Sequence, residues 1–417
     1  MEEMKRLGVA AKQAAFRLLS LGTEEKNRAL RSAAEALRSQ EDRILKANQR
    51  DMVRARERGI PEGLLDRLQL TPARLASMAE GLFSLIQLPD PVGEVLSRQT
   101  LENGLRITKR RVPLGVIGMI YEARPNVTSD AFGIAFKAGN AVILRGGSDA
   151  IDSNLAISEA LRDGLEQAGA PVDALQLVKD SSRESAKALM HLNGYVDVLI
   201  PRGSAALIQT VLRESTVPVI ETGAGNCHIY VDETADLKKA VPIILNAKTQ
   251  RIGVCNAAES LVVHRAVGKE LLEALKAAWE GQGHPVELRG DETARSWDHS
   301  LTPASEEDWG REYLDYILSV KTVASLEEAI AHINRYHSMH SDAIVTESKE
   351  NAEAFLREVD SACVYVNAST RFTDGGEFGF GAEMGISTQK LHARGPMGLK
   401  ELTSYKYEIR GNGQIRP

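Results

Sequence analysis

The sequence predicts an α/β protein with two domains, each a parallel sheet flanked by helices, and a polar β-hairpin set apart from both. Three observations carry that expectation. Apolar residues up to about residue 90 recur at three- and four-residue spacing, two strand-like runs then flank Asn103-Gly104, and beyond them short apolar runs alternate with helical stretches. A chain of 417 residues is long enough for two or three domains and a sizeable core.

The helical stretch opens with Met4, Leu7, Ala11, Ala14 and Leu18 on one buried stripe. Thr23 is expected to cap a second helix ending near Ser39, with Glu24 and Glu25 favourable against its dipole. A third, very polar helix runs to about Gly59, a natural stop because glycine accepts the left-handed conformation. From Val95 the period changes. Val95 to Leu101 and Leu105 to Arg111 are strand-like, and Asn103-Gly104 favours a type I′ turn between them. This arm is too rich in Arg and Lys for a core hairpin. It is expected to project and pair with another subunit, with Thr403 to Arg410 adding a strand; the alternative is a solvated surface hairpin.

After the arm, residues 116–121, 141–145, 175–178, 196–200 and 217–220 are short apolar runs separated by helical stretches such as 154–168 and 204–214. That rhythm specifies a parallel sheet covered on both faces. Helices and strands resume from Leu237, with strands at 257–263 and 343–345, so a second α/β domain is expected over about 238–402.

Composition narrows the function classes. Apolar residues are 43% and charged residues 26% of the chain, ordinary for a globular enzyme. With 57 acidic against 51 basic side chains and a net charge of −6, there is no long-range field to attract nucleic acid or an anionic membrane surface, so neither is an expected partner. Cys227, Cys255 and Cys363 are too few and too scattered for a disulfide framework, which fits a reducing, cytoplasmic setting. The N-terminus mixes charged and apolar residues and is not expected to be a signal peptide.

The chemistry centres on Gly253-Val254-Cys255-Asn256, placed 34 residues (255 − 221) after Glu221 in Glu221-Thr222-Gly223-Ala224-Gly225. A cysteine between a glycine and a small polar stretch can present its sulfur to a cleft, and only an accessible thiolate attacks a carbonyl carbon. The alternative is a buried cysteine packing as a small apolar side chain, the reading preferred for Cys227 and Cys363. Two strand-end turns have parts suited to a phosphate: Arg145-Gly146-Gly147-Ser148, and Arg202-Gly203-Ser204 at the start of a helix. Neither is a Gly-x-Gly-x-x-Gly fingerprint, and ordinary turn chemistry explains either one alone. His332, His337 and His340 lack the spacing of a helical zinc site, so no metal is expected.

In order, Gly115-Val116-Ile117-Gly118, Lys137-Ala138-Gly139-Asn140, the Arg145 turn, Arg202-Gly203-Ser204, Glu221 to Gly225, Gly253-Val254-Cys255, Glu312-Tyr313 and Phe378-Gly379-Phe380-Gly381 resemble the aldehyde dehydrogenase superfamily, over about residues 2 to 410. Within it, Ile120 to Thr128, Glu221 to His228 and Lys390 to Gly398 resemble the γ-glutamyl phosphate reductase branch. The resemblance implies an aldehyde dehydrogenase-like fold. Residues 1–98 and 113–237 would form a Rossmann-type NADP-binding domain, 238–402 the catalytic domain, and 99–112 with 403–417 an oligomerisation arm of a homo-oligomer.

The resemblance also implies a reaction. L-glutamyl 5-phosphate would acylate Cys255 with loss of phosphate, and NADPH would reduce the thioester to L-glutamate 5-semialdehyde, the second step of proline biosynthesis from glutamate. Glutamate 5-kinase, which makes the acyl phosphate, is a possible partner. Asn126 or Arg124 would face the substrate oxygens, Asn126 as oxyanion donor and Arg124 as a fork for the acyl phosphate. Arg145 and Ser148 favour NADP, since a guanidinium and a hydroxyl suit a 2′-phosphate where an acid would repel it, although Asp149 lies one residue away. Gly203 and Ser204 would bind the cofactor, and Glu312 its nicotinamide ribose. Glu221 matches the base of hydrolytic relatives; a phosphate-releasing reductase needs no hydrolytic water, so it would bind cofactor or order its loop. Arg371, His392 and Arg394 are candidates for the substrate α-carboxylate. Two other readings stay open: a hydrolytic NAD(P)-dependent aldehyde dehydrogenase, and a non-catalytic binding protein on the same fold.

Overall fold

The computed structural model describes residues 2–122, 124–283 and 285–416. The chain divides into two compact units: one of Met1–Glu221, Gly379–Gly385 and Met397–Pro417, the other of Thr222–Phe378 and Ile386–Pro396.

The first unit is built on a four-stranded sheet in the order Leu175–Leu177, Ala141–Gly146, Val116–Tyr121, Val198–Arg202. All neighbours are parallel. Every residue of Val116–Tyr121 is buried, as a central parallel strand covered on both faces requires. Helices Glu2–Leu18, Thr23–Ser39, Pro72–Gln87, Asn126–Lys137 and Ile151–Gln167 bury their apolar stripes in this unit. The expected strand at 217–220 is only a bridge, Val219 to Leu199, because Pro218 has no N–H to extend a ladder. Thr23 is not the cap of the second helix. Gly22 holds that position, its amide donating to the Glu25 carboxylate at 2.7 Å, while Thr23 donates its hydroxyl to Asp90. The third helix, Glu41–Glu57, is followed by Gly59 at φ +69°.

The arm is a three-stranded antiparallel sheet in this same unit: Val95–Thr100, Arg106–Pro113 and Thr403–Arg410, the last paired with the middle strand along its whole length. Its turn differs from the expected type I′. Leu101 and Leu105 are bonded to each other, which leaves a three-residue loop, Glu102 to Gly104, with Gly104 at φ +87° in the left-handed position such loops demand. One face presents Tyr407 and Ile409, exposed by 58% and 60%.

The second unit carries a seven-stranded sheet whose strands, Thr302–Pro303, Glu287–Gly290, Ile317–Val323, Ala258–His264, Cys227–Val231, Ser341–Val345 and Cys363–Val366, are paired in parallel in that order. Alternate residues feed two cores. Ile229, Val231, Leu261 and Val263 pack on Ile244, Leu271, Leu275 and Trp279, while Tyr230, Val262 and Ile344 pack on Ile330, Ile333 and Phe355. The expected domain border at 237/238 is therefore misplaced. Cys227–Val231 hydrogen-bonds to Ala258–His264 and Ser341–Val345, and this pairing puts the border at Glu221/Thr222. Among the described residues no helix is long and apolar enough to cross a membrane.

Candidate active site

In the second unit, helix Leu237–Thr249 runs into a turn, residues 250–257, that leads to strand Ala258–His264. Cys255 sits in that turn, partly exposed, whereas Cys227 and Cys363 are buried. Of the three thiols it is the one a substrate can reach. Burial pushes the Cys227 thiol well up, away from the thiolate form.

Three sets of contacts fix the turn. First, Gly225 lies against it so closely that a Cβ there would fall 1.6 Å from the Cys255 carbonyl oxygen. Only glycine fits such an approach of backbone to backbone. Gly225 also donates its amide to Glu312 Oε1 at 2.8 Å. Second, Asn256, the residue after Cys255, is buried. Its amide nitrogen donates to the Arg371 and Thr373 carbonyls at 3.3 and 2.9 Å, its carbonyl accepts from the Thr370 hydroxyl at 2.8 Å, and Arg371 Nη1 donates to its Oδ1. Arg371 Nε donates to Gln250 Oε1 at 2.9 Å, so this guanidinium is anchored to both ends of the turn.

Third, a buried ion pair closes the stem of the turn. Lys248 and Glu259, both with fully buried side chains, meet at 2.6 Å across a separation of 11 positions that spans Cys255. Burial pushes each toward its neutral form, Glu259 up to about 7 and Lys248 down. The other Glu259 oxygen accepts the amide of Leu314 at 3.1 Å, and Leu314 takes φ +55° two residues after Glu312. Glu259, Leu314, Glu312, Gly225 and the Cys255 carbonyl are thus linked by successive contacts and by the chain into one support for Cys255.

The other substrate candidates of this unit stand apart from this support. Arg394 is committed to Asp360, with Nη1 on its carboxylate at 2.9 Å and Nη2 on its carbonyl at 2.7 Å, and Lys390 shares the same carboxylate. His392 is exposed. His332 is buried against Trp309, Tyr336 and His228, and burial lowers its pKa to about 3. Among the described residues no cluster of three His, Cys, Asp or Glu side chains is placed to hold a metal ion.

In the first unit the strand register aligns Tyr121 with Gly146 and Arg202. The segments carrying Arg124 and Asn126, Arg145 and Ser148, and Gly203 and Ser204 therefore leave the sheet at one edge, beyond the carboxyl ends of its strands, where doubly wound sheets bind ligands. Their side chains are already engaged. Asn126 donates to Asp130, four residues on, at 2.9 Å. Arg124 is exposed. Arg145 Nη2 donates to the carbonyls of Ser181 and Ser182, while its buried Nε has no acceptor. Asp149 is paired with Arg58 at 3.1 Å.

Both helix ends expected to receive phosphate already hold a carboxylate. Two amides in the first turn of Ile151–Gln167, those of Asp152 and Ser153, donate to Asp51 at 3.3 and 2.8 Å. Ser204 caps Ala205–Glu214 by accepting the Leu207 amide and donates its own hydroxyl to Glu122 at 2.6 Å, and a Cβ on Gly203 would collide with that carboxylate. Ser148 is exposed beside the first of these ends. Glu221 ends the long N-terminal segment of this unit, with its pKa raised by burial.

Sequence reasoning missed Gln250, Lys248, Glu259, Asp51 and Glu122 as parts of these sites, and had Asn256 only as a polar neighbour of Cys255. Glu259 had a signal, an acid inside the strand-like, largely apolar run Ala257 to Val263. Asp51 lies 102 positions from Ser153 and had none.

The chain matches the model of the aldehyde dehydrogenase family over residues 1–288 and 309–407. It is 56% identical to a γ-glutamyl phosphate reductase of Lachnospira eligens, covering 100% of each chain, and 54% identical to one of Thermobifida fusca, covering 99% of each. Among solved structures it is similar to a γ-glutamyl phosphate reductase of Thermotoga maritima, with a TM-score of 0.97, 49% identity and 100% of both chains covered. An acetylating aldehyde dehydrogenase of Geobacillus thermoglucosidasius shares the fold at a TM-score of 0.71 and 19% identity, covering 100% of this chain and 98% of its own. With the family's pattern present across both units, the chain belongs to the aldehyde dehydrogenase family and, within it, to the γ-glutamyl phosphate reductases.

Proposed function

We propose that this enzyme reduces L-glutamyl 5-phosphate to L-glutamate 5-semialdehyde and phosphate with NADPH, through a thioester on Cys255, as the second step of proline biosynthesis from glutamate. The observation that carries the reading is the partly exposed Cys255, its backbone clamped by Gly225, in a chain more than half identical to enzymes named for this reaction.

The Cys255 thiolate attacks the acyl carbon. A carbon–sulfur bond forms, the carbon–oxygen bond to phosphate breaks, and its electron pair leaves on phosphate. The clamped turn holds the sulfur in one orientation, which converts binding into attack geometry. When bound, NADPH supplies the two electrons and the hydrogen that reduce the acyl carbon. The carbon–sulfur bond then breaks and the thiolate is restored. Asn126 or Arg124 would face the substrate oxygens. With Glu312 held on Gly225, its second oxygen is left for a ribose hydroxyl.

The first unit offers NADP a consistent set of groups. Arg145 retains a buried Nε without an acceptor, suited to a 2′-phosphate, and Ser148, Gly203 and Ser204 stand at strand ends where backbone amides can meet a diphosphate. Arg371 is the substrate arginine nearest the nucleophile in bonding terms, and His392 and Arg394 are secondary. Two apolar side chains on the face of the arm fit pairing with a second copy in a homo-oligomer, and glutamate 5-kinase would supply the unstable substrate. The pathway places the enzyme in the cytoplasm.

The test is reduction of NADP by glutamate 5-semialdehyde, the reverse reaction. Turnover is expected to require phosphate and to fall by several powers of ten in Cys255→Ser. One observation favours a second reading: burial raises Glu221 toward the range of a general base, as a hydrolytic aldehyde dehydrogenase would use. Full turnover without phosphate or arsenate would select that reading.

A further inference from the structure

Arg371 has an unusual set of partners. Its guanidinium donates to two neutral amides, Gln250 Oε1 and Asn256 Oδ1, and among the described residues it forms no ion pair. Arg251 lies next to Gln250 in the same turn. It is exposed and has no ion pair or side-chain hydrogen bond among the described residues. Burial, and after it the charge of Arg251, disfavours the Arg371 cation; the charges of Asp374 and Cys255 act in the other direction.

Two guanidiniums therefore stand at the turn that carries Cys255, and among the described residues neither forms an ion pair, Asp374 acting on Arg371 by its charge alone. In this unit Arg394 is matched by Asp360, and Arg289 by Glu287 and Asp308. An uncompensated pair of forked donors in a partly desolvated site is suited to a dianion with several acceptor oxygens.

We propose that Arg251 and Arg371 together bind the phosphoryl group of the acyl phosphate and stabilise the charge that develops on its bridging oxygen as the carbon–oxygen bond breaks. This deepens, and rests on, the acyl phosphate reading above. Asn256 makes the arrangement dependable, because the residue directly after Cys255 is bolted to the Arg371 segment by four hydrogen bonds. Thiolate and phosphoryl site then move as one piece.

The experiment uses the full-length enzyme in the reverse direction, with inorganic phosphate as the varied probe. Arg251→Ala removes no ion pair or side-chain hydrogen bond among the described residues. It is expected to raise the KM for phosphate roughly ten- to hundredfold, as for loss of a charge-assisted hydrogen bond, with the KM for glutamate 5-semialdehyde and for NADP little changed. Arg251→Lys, which keeps the charge but not the fork, is expected to recover part of the loss. An unchanged phosphate KM overturns the proposal, and so does a rise confined to the semialdehyde KM, which would move the arginine onto the α-carboxylate. The parent reading fails separately, in the wild-type enzyme, if turnover is indifferent to phosphate.

Discussion

The turn around Cys255 and the strand-end turns of the first unit solve opposite problems. Around the nucleophile every support is permanent: a backbone contact only glycine allows, a fully buried ion pair and an asparagine bonded on three sides. At the strand ends Asp51 accepts the helix amide of Ser153, Glu122 accepts the hydroxyl of the capping Ser204, and the candidate ligands Ser148, Gly203 and Ser204 are exposed. A covalent catalyst gains from a sulfur held in one place. If the strand ends take the cofactor, as proposed, that site must release its ligand every turnover, and Asp51 keeps the amides of Asp152 and Ser153 satisfied meanwhile.

The largest expected effect is at the rigid side. Gly225→Ala places a methyl group inside the Cys255 carbonyl, so the turn must shift. Displacements of about an ångström cost on the order of a hundredfold in rate, and kcat should fall at least that far while NADPH binding persists. Steady-state kinetics beside a cofactor titration measure both; wild-type kcat would remove Gly225 from the account.

Next comes the ion pair. Lys248→Met leaves the Glu259 carboxyl buried without its cation, and breaking such a pair costs about 3–5 kcal/mol. The pH dependence has a definite sign. Glu259 is raised from 4.5 to about 7, so the fold favours its protonated form; that stabilisation is complete below pH 4.5 and is lost as pH rises through about 7. The Lys248→Met penalty should accordingly be larger at pH 8 than at pH 5 in denaturant unfolding. A penalty independent of pH would show that charge is not what the pair contributes.

These supports explain how far the sequence could be understood alone. The sheets were legible because apolar runs such as Val116–Tyr121 are buried on both faces and carry their signal locally. Cys255 was legible for a similar reason, its small and polar neighbours being adjacent in sequence. The domain border was not, because Cys227–Val231 looks like any parallel strand until its partners at 258–264 and 341–345 are known. The hairpin was visible in Asn103-Gly104, but loop size depends on register, which the dipeptide does not set. Asp51 and Glu122 bond to Ser153 and Ser204 across long sequence separations, so the occupied state of the phosphate turns had no local signature.

Smaller effects are expected on the cofactor side. Arg145→Ala removes a donor suited to the 2′-phosphate and a brace on the Ser181 and Ser182 carbonyls. NADPH affinity should fall by about 1.5–3 kcal/mol and NADH affinity much less, which calorimetric titration of both cofactors would show. Equal weakening would leave only the brace. Smallest is Glu122→Gln. It removes a negative charge from the end of Ala205–Glu214, an effect of about 0.3–1 kcal/mol, and should tighten both cofactors by a few-fold. Weaker binding instead would make Glu122 a ligand, not a place-holder.

The central claim is that Cys255 alone carries the acyl group. Enzyme mixed with L-glutamyl 5-phosphate in the absence of NADPH, then quenched in acid, digested and weighed by mass spectrometry, addresses it directly. The account predicts a glutamyl thioester on the peptide containing Cys255, lost on treatment with hydroxylamine and missing from Cys255→Ala. An adduct on Cys227 or Cys363, or no adduct while turnover with NADPH proceeds, would contradict it.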